Sequence, residues 1–272
     1  MSMSNFIFVI TATTGRDTLI DTIESVQKQS YQNIKHIIVC DGNNNKFQVE
    51  QIINNYKNQN ILQKELELLV IPWQTGKNNW ICHRIYAAIP HLIVEDGYIS
   101  YLDEDNYVDV NHYEILYNTL QQSNSQWAYS LRKIVTPSKE FVTYDMCESL
   151  GYLSHVWVVL YQLNTNPLLK ETFKDDPSYY LIDTNCYLIE KSVLQKISYN
   201  FQRPARQHPE ADRMLFDALR KNYKGQCTMA YTLNYRLDGR RGDPTDSAIS
   251  EFYIRGNNYM NSIYNNNIPW KK

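Results

Sequence analysis

Asp103 and Asp105, in the run Tyr101-Leu102-Asp103-Glu104-Asp105-Asn106, are two carboxylates spaced to serve one site. A tight turn after the apolar stretch Tyr98–Leu102 points both toward the same place. Hard divalent cations such as Mn²⁺ and Mg²⁺ take carboxylate oxygens and keep positions open for phosphate oxygens. A cation held in this way neutralises charge that develops on a diphosphate leaving group. An acidic surface loop would carry the same letters. What favours a site is placement: Thr11, Asp41 and Asp103 each stand directly behind a short apolar run.

Those runs read as buried parallel strands. Phe6–Ile10 is the first, followed by a loop over Thr11–Arg16 and a helix capped by Asp17 with Leu19, Ile20, Ile23 and Val26 on one face. His36–Cys40 is the second strand, ending at Asp41-Gly42, and Phe47–Asn58 a second helix. Glu67–Ile71 is a third strand, Trp80–Leu92 a helix, and Tyr98–Leu102 a fourth strand. Strands alternating with helices predict βαβ units. In such sheets ligands bind outside the carboxyl ends of the strands, so the three polar positions converge on one rim. Beyond about residue 125 the pattern changes. Trp127–Ile134 and Phe141–Tyr144 read as a strand pair, Leu150–Leu163 is ambiguous in type, and Asp183–Ile189 reads as a strand with a helix from Lys191. Pro209 opens a helix with Met214, Leu215, Ala218 and Leu219 as its apolar stripe. Gln226–Leu237 is the last expected strand, and the tail from Asp238 is expected to be mobile.

Four ordered segments carry a resemblance. Phe8-Val9-Ile10-Thr11-Ala12-Thr13-Thr14-Gly15-Arg16, Ile23-Glu24-Ser25-Val26-Gln27, Ile37-Ile38-Val39-Cys40-Asp41-Gly42 and Leu102-Asp103-Glu104-Asp105 together resemble the family 2 glycosyltransferases of the GT-A fold. A later piece, Glu210-Ala211-Asp212-Arg213-Met214-Leu215, is similar to the helix start that supplies that family's catalytic base. The resemblance implies an α/β GT-A fold, with a Rossmann-like, mostly parallel central sheet flanked by helices and a smaller acceptor-side region. Residues 1–110 form the nucleotide-sugar half of a single domain, and 111–272 the acceptor and base half.

It also implies roles. Thr11, Ala12, Thr13 and Arg16 cup the nucleotide, and Asp41 contacts base and ribose. Asp105 is a direct ligand of Mn²⁺ or Mg²⁺. Asp103 reaches metal or ribose through water, with Glu104 beside it. Gly76, Lys77 and Arg84 approach the diphosphate. Asp212 is the candidate general base, placed where a helix N-terminus stabilises its anion and lowers its basicity. Glu210 is the rival in the same turn, and Ala211 stands where the family motif has a second acid. His155 and His208 are candidates for a third metal ligand. Tyr235-Arg236 and Arg240-Arg241 are candidates to close over the diphosphate, while His83 reads as structural.

The implied activity is inverting transfer of a sugar from a nucleotide diphosphate, UDP preferred over GDP and dTDP, to a hydroxyl of a carbohydrate or glycoconjugate. Two alternatives stand beside it. A nucleotidyltransferase wants a glycine-rich, cationic loop after the first strand, and Thr11–Arg16 has one glycine and one arginine. A silent nucleotide-sugar binder is kept open by Ala211.

Composition bounds the rest. A net charge of −2 offers no field for nucleic acid. Five widely spaced cysteines without a CxxC argue against a disulfide framework or zinc ribbon and for reduced thiols in the cytoplasm. No stretch approaches the ~20 apolar residues of a membrane span. The chain therefore reads as soluble, with peripheral membrane contact left open. The 22 tyrosines fit codon bias as well as a sugar-stacking groove.

Overall fold

A computed structural model of the chain describes residues 5–153, 180–205, 207, 209–237 and 247–270. One mixed sheet runs through both halves of the sequence. Its first part is parallel: β1 (Ile7–Thr13) lies between β2 (Ile34–Asp41) and β4 (Tyr98–Tyr101), and β3 (Glu65–Ile71) flanks β2 at the edge. The second part mixes directions. β8 (Tyr187–Glu190) is antiparallel to β4 and to β6 (Trp127–Val135), which runs parallel to β9 (Gly225–Arg236). β5 (Tyr107–Val108) closes on β9, and β7 (Phe141–Tyr144) pairs with β6, both antiparallel.

The inner strands are largely buried and mostly apolar, as strands covered on both faces are. Side chains of β2 alternate between two cores, as the pleat requires. Ile38 and Cys40 pack with Leu19 and Ile23 of α1 (Leu19–Gln27) and Val49 and Ile53 of α2 (Asn43–Gln59). Ile37 and Val39 join the larger core, with Ile85 and Ile89 of α3 (His83–Leu92) and Tyr113, Leu116 and Leu120 of α4 (His112–Ser123). That core continues through Val193 and Leu194 of α5 (Lys191–Ile197) and Leu215, Phe216 and Leu219 of α6 (Ala211–Asn222). Fully burying one such side chain stabilises by about 1.5–3 kcal/mol.

Several boundaries differ from the sequence expectation. α3 begins at His83 rather than Trp80, because Asn78, Asn79 and Ile81 adopt positive φ (59°, 65° and 45°) that a right-handed helix excludes. α2 starts four residues before Phe47, directly after Gly42, whose φ of 102° turns the chain out of β2. Asp17 makes no capping bond; Thr18 is the N-cap residue of α1. The expected strand from Asp183 opens instead with a 3₁₀ turn, Thr184–Cys186, since the Asp183 carboxylate accepts the Asn185 N–H and bends the chain. Of Leu150–Leu163, Gly151–Leu153 is a 3₁₀ turn and the rest lies outside the described residues. The tail expected to be mobile contains α7 (Ser247–Ile263), which buries Tyr253, Asn257 and Met260 at i, i+4 and i+7.

Candidate active site

Strand register builds the site. Thr13 lies opposite Cys40, next to Asp41, and the Leu102 N–H donates to Ile10 O at 3.0 Å. The ends of β1, β2 and β4 therefore meet at one rim, over a cleft of about 270 Å³ lined by Ala12, Thr13, Asp41, Gly76, Asp103 and Asp105, among others. Thr14, Gln74, Ile81, Cys82, Ile85 and Glu104 complete the lining. Thr11 does not reach it: its side chain points into the core, with Oγ1 3.0 Å from His36 Nε2.

Each carboxylate at the rim has assigned partners. Asp103 Oδ1 accepts from Tyr86 OH at 2.6 Å and Oδ2 from Asn185 Nδ2 at 2.9 Å, while its N–H donates to Asn185 Oδ1 at 2.5 Å. Burial, and then the Asp105 charge, push the Asp103 pKa up to about 7, against the Tyr86 and Asn185 bonds that favour the anion. Asp105 forms an ion pair with Arg16. Glu104 turns to the first loop, where it accepts from Thr13 Oγ1, Thr14 Oγ1 (3.3 Å) and the N–H groups of Thr14 and Arg16 (both 3.2 Å). Its carboxylate thus fixes the loop that rims the cleft.

Asp41 is a clamp. Its Oδ1 accepts from Thr75 N–H at 2.6 Å and Thr75 Oγ1 at 2.8 Å, and its Oδ2 from Gly76 N–H at 2.9 Å. Gly76 must lack a side chain: a Cβ there would stand 2.6 Å from Ile81 O and 3.0 Å from Asp41 Oδ2. Arg84 braces the same loop, donating to Thr75 O at 2.5 Å and lying 3.8 Å over the Trp80 ring. Lys77 is exposed and does not line the cleft. His83 is buried with Nδ1 2.8 Å from Arg203 O, as a structural residue would be.

α6 carries Asp212 in its first turn. Asp212 is half-buried, and Thr184 Oγ1 donates to its Oδ1. Burial first, then the Asp183 and Asp103 charges, push its pKa up to about 7. The helix N-terminus was expected to lower that basicity. A dipole contribution of about 0.3–1 kcal/mol is smaller than the effect of burial beside two carboxylates. Glu210, the N-cap residue, lies half-exposed with Oε2 2.9 Å from Arg213 Nε of its own helix. Arg236, expected near a diphosphate, is instead buried, and its Nη2 donates to Asp21 Oδ2 at 2.5 Å. Tyr235 stacks under the Arg132 guanidinium at 4.4 Å. His155, His208, Arg240 and Arg241 lie outside the described residues.

Sequence reasoning missed Tyr86, Asp183, Thr184 and Asn185. Tyr86 sits inside an apolar helix face, and a polar triplet ahead of a strand has no chemical signature of its own.

The donor set suits a hard cation. Among the described residues no three His, Cys, Asp or Glu side chains gather as a metal cage. Two carboxylates, Asp103 and Asp105, with the other positions left to phosphate and water, match the way Mg²⁺ is commonly bound. No helix of the described residues is long and apolar enough to cross a membrane.

A profile of glycosyl transferase family 2 matches residues 7–196. No curated protein sequence matches the chain. Among solved structures, S. aureus TarS 1–349 superposes with a TM-score of 0.58 at 12% identity, over 85% of this chain and 60% of that one. The same TarS fragment in complex with UDP gives 0.58 at 12% identity, over 87% and 61%. Its complex with UDP-GlcNAc gives 0.57 at 11% identity, over 86% and 59%. The chain thus spans about three fifths of that fragment, and the likeness is one of fold.

Proposed function

The chain belongs to glycosyl transferase family 2 and has the GT-A fold, and from that premise we propose that it transfers a sugar from a UDP-sugar to an acceptor hydroxyl with inversion. One observation carries the proposal: Asp41, Asp103 and Asp105 share one cleft at the sheet rim, and Asp212 is linked to Asp103 through the adjacent residues Thr184 and Asn185. The TarS complexes with UDP and UDP-GlcNAc support uridine as the nucleoside. The backbone of Ala12–Thr14 and the loop that Asp41 clamps would hold the nucleoside. Asp103 and Asp105 would hold Mn²⁺ or Mg²⁺. When bound, such a cation neutralises charge on the departing diphosphate. Arg16 would leave Asp105 and turn to the phosphates, conserving charge balance at the rim.

Asp212 is assigned as the base. It removes the acceptor hydroxyl proton as the oxygen attacks the anomeric carbon from the face opposite the diphosphate. A carboxylate with a pKa near 7 suits that task, being ionised in good part at neutral pH and still basic. The acceptor is a carbohydrate or glycoconjugate, and the odd, scattered cysteines support a cytoplasmic setting.

Titration calorimetry with UDP, with and without Mn²⁺, tests the donor half, and a panel of UDP-sugars with product analysis tests the transfer. Asp105→Ala is expected to abolish cation-dependent UDP binding and turnover while the protein stays folded. Full activity in that variant would refute the metal assignment.

A further inference from the structure

The turn Asp183-Thr184-Asn185 contacts both carboxylates to which the proposed reaction gives opposite tasks. Asn185 grips Asp103 at two points, accepting its N–H at 2.5 Å and donating to Oδ2 at 2.9 Å. The neighbouring Thr184 donates its hydroxyl to Asp212 Oδ1. Asp183 closes the turn: its Oδ1 accepts from Asn185 N–H at 2.9 Å and from Asn185 Nδ2 at 2.8 Å. Its Oδ2 accepts from Arg132 Nη1 at 2.5 Å. Arg132 is itself buried and immobilised by Asp145 (2.7 Å), Glu148 and Tyr253 OH (2.8 Å).

We propose that this turn is a positioning unit, in which Asn185 fixes Asp103 for the donor and Thr184 fixes Asp212 for the acceptor. The inference rests on the reading of Asp103 and Asp212 given above. Its physical basis is rigidity. Asp103 follows β4 and Asp212 rides on α6, two elements joined through separate packing surfaces. One peptide unit between Thr184 and Asn185 replaces that long path with a short one, anchored at a buried guanidinium. Asn suits its position for a further reason. Both hydrogens of its amide are spent on carboxylates, Asp103 and Asp183. A carboxylate in its place would crowd a third negative charge against them.

The test separates the two halves. In titrations of the full chain with UDP and Mn²⁺, Asn185→Asp is expected to bind about 10- to 100-fold more weakly, the usual cost of losing a partner behind a metal ligand. Asn185→Ala, which adds no charge, is expected to weaken binding in the same direction. Thr184→Val should keep UDP affinity and KM for the donor while kcat falls on the order of 10²-fold, as misplacing a reacting group does. Thr184→Ser, which restores the hydroxyl, should recover most of kcat. Wild-type binding by both Asn185 variants, or parallel loss of affinity and kcat in Thr184→Val without rescue by serine, overturns the positioning role. A wild-type protein that neither binds UDP with Mn²⁺ nor releases UDP from any UDP-sugar overturns the donor reading, and this inference with it.

Discussion

Asp212 shows how a side chain's surroundings set its chemistry. A helix start alone would keep it a weak base, whereas burial beside Asp183 and Asp103 raises its pKa to about 7. As the base it must be ionised, so kcat/KM for the acceptor should rise with pH through about 7 and then level off. A pH–rate profile that stays flat from 5 to 8 would remove Asp212 from that role. Asp212→Asn should bind UDP and Mn²⁺ as the wild type does but transfer about 10²–10⁴-fold more slowly. If Glu210→Gln is the inactive variant instead, the base has been misassigned. The same residue has a stability consequence. Between the unfolded carboxylate value of 3.8 and about 7, the folded protein keeps a proton that the unfolded chain has lost. This group's contribution to stability therefore falls as pH rises through that window. In EDTA, Asp212→Asn should raise Tm relative to wild type at pH 8, and the gain should shrink toward pH 5. An equal gain at both pH values would contradict the raised pKa.

At the scale of elements, two close approaches are decisive. The loop before α3 is held by the Asp41 clamp and tolerates no Cβ at position 76. Gly76→Ala should displace the turn and strand the Asp41 carboxylate, at a cost of about 1–3 kcal/mol in UDP affinity. Calorimetry giving wild-type affinity would show that the loop does not shape the nucleotide site. At the start of β9, a Cβ on Gly225 would fall 2.0 Å from Trp127 Cε2, and that indole is buried. Gly225→Ala should lose about 1–3 kcal/mol of stability to overpacking, read from urea unfolding, with UDP binding intact.

Across the whole molecule, Arg132 ties together distant segments of the second half. It joins β6 to Asp145, Glu148, Asp183 and, through Tyr253, to α7. Three carboxylates gathered around one buried guanidinium form a network whose members depend on each other. Arg132→Met should therefore destabilise by about 3–5 kcal/mol, because it leaves the acids without their cation. Tyr253→Phe removes only the hydroxyl that bonds Arg132 and Glu148, and should cost about 1–3 kcal/mol. Chemical denaturation measures both. A neutral Arg132→Met would mean that the acids reach solvent or other partners once the guanidinium is gone.

The sequence by itself determined the parallel quartet of strands and the acids at their ends. Buried parallel strands are written as largely apolar runs, and the residues that follow each run lie toward the same end of the sheet. Hence Asp41, Asp103 and Asp105 could be brought together from local pattern alone. Only the tertiary structure decided who holds them. Asn185 meets Asp103 across 82 positions and Thr184 meets Asp212 across 28. No periodicity records such pairings, since each depends on two elements packing at one angle. The same holds for Thr11, which faces the core, and Arg236, which pairs with Asp21 across 215 positions. The rich supply of Asn around α7 concealed its buried stripe, because Tyr253 and Asn257 find their partners far away in the chain, at Arg132, Thr143 and Met146.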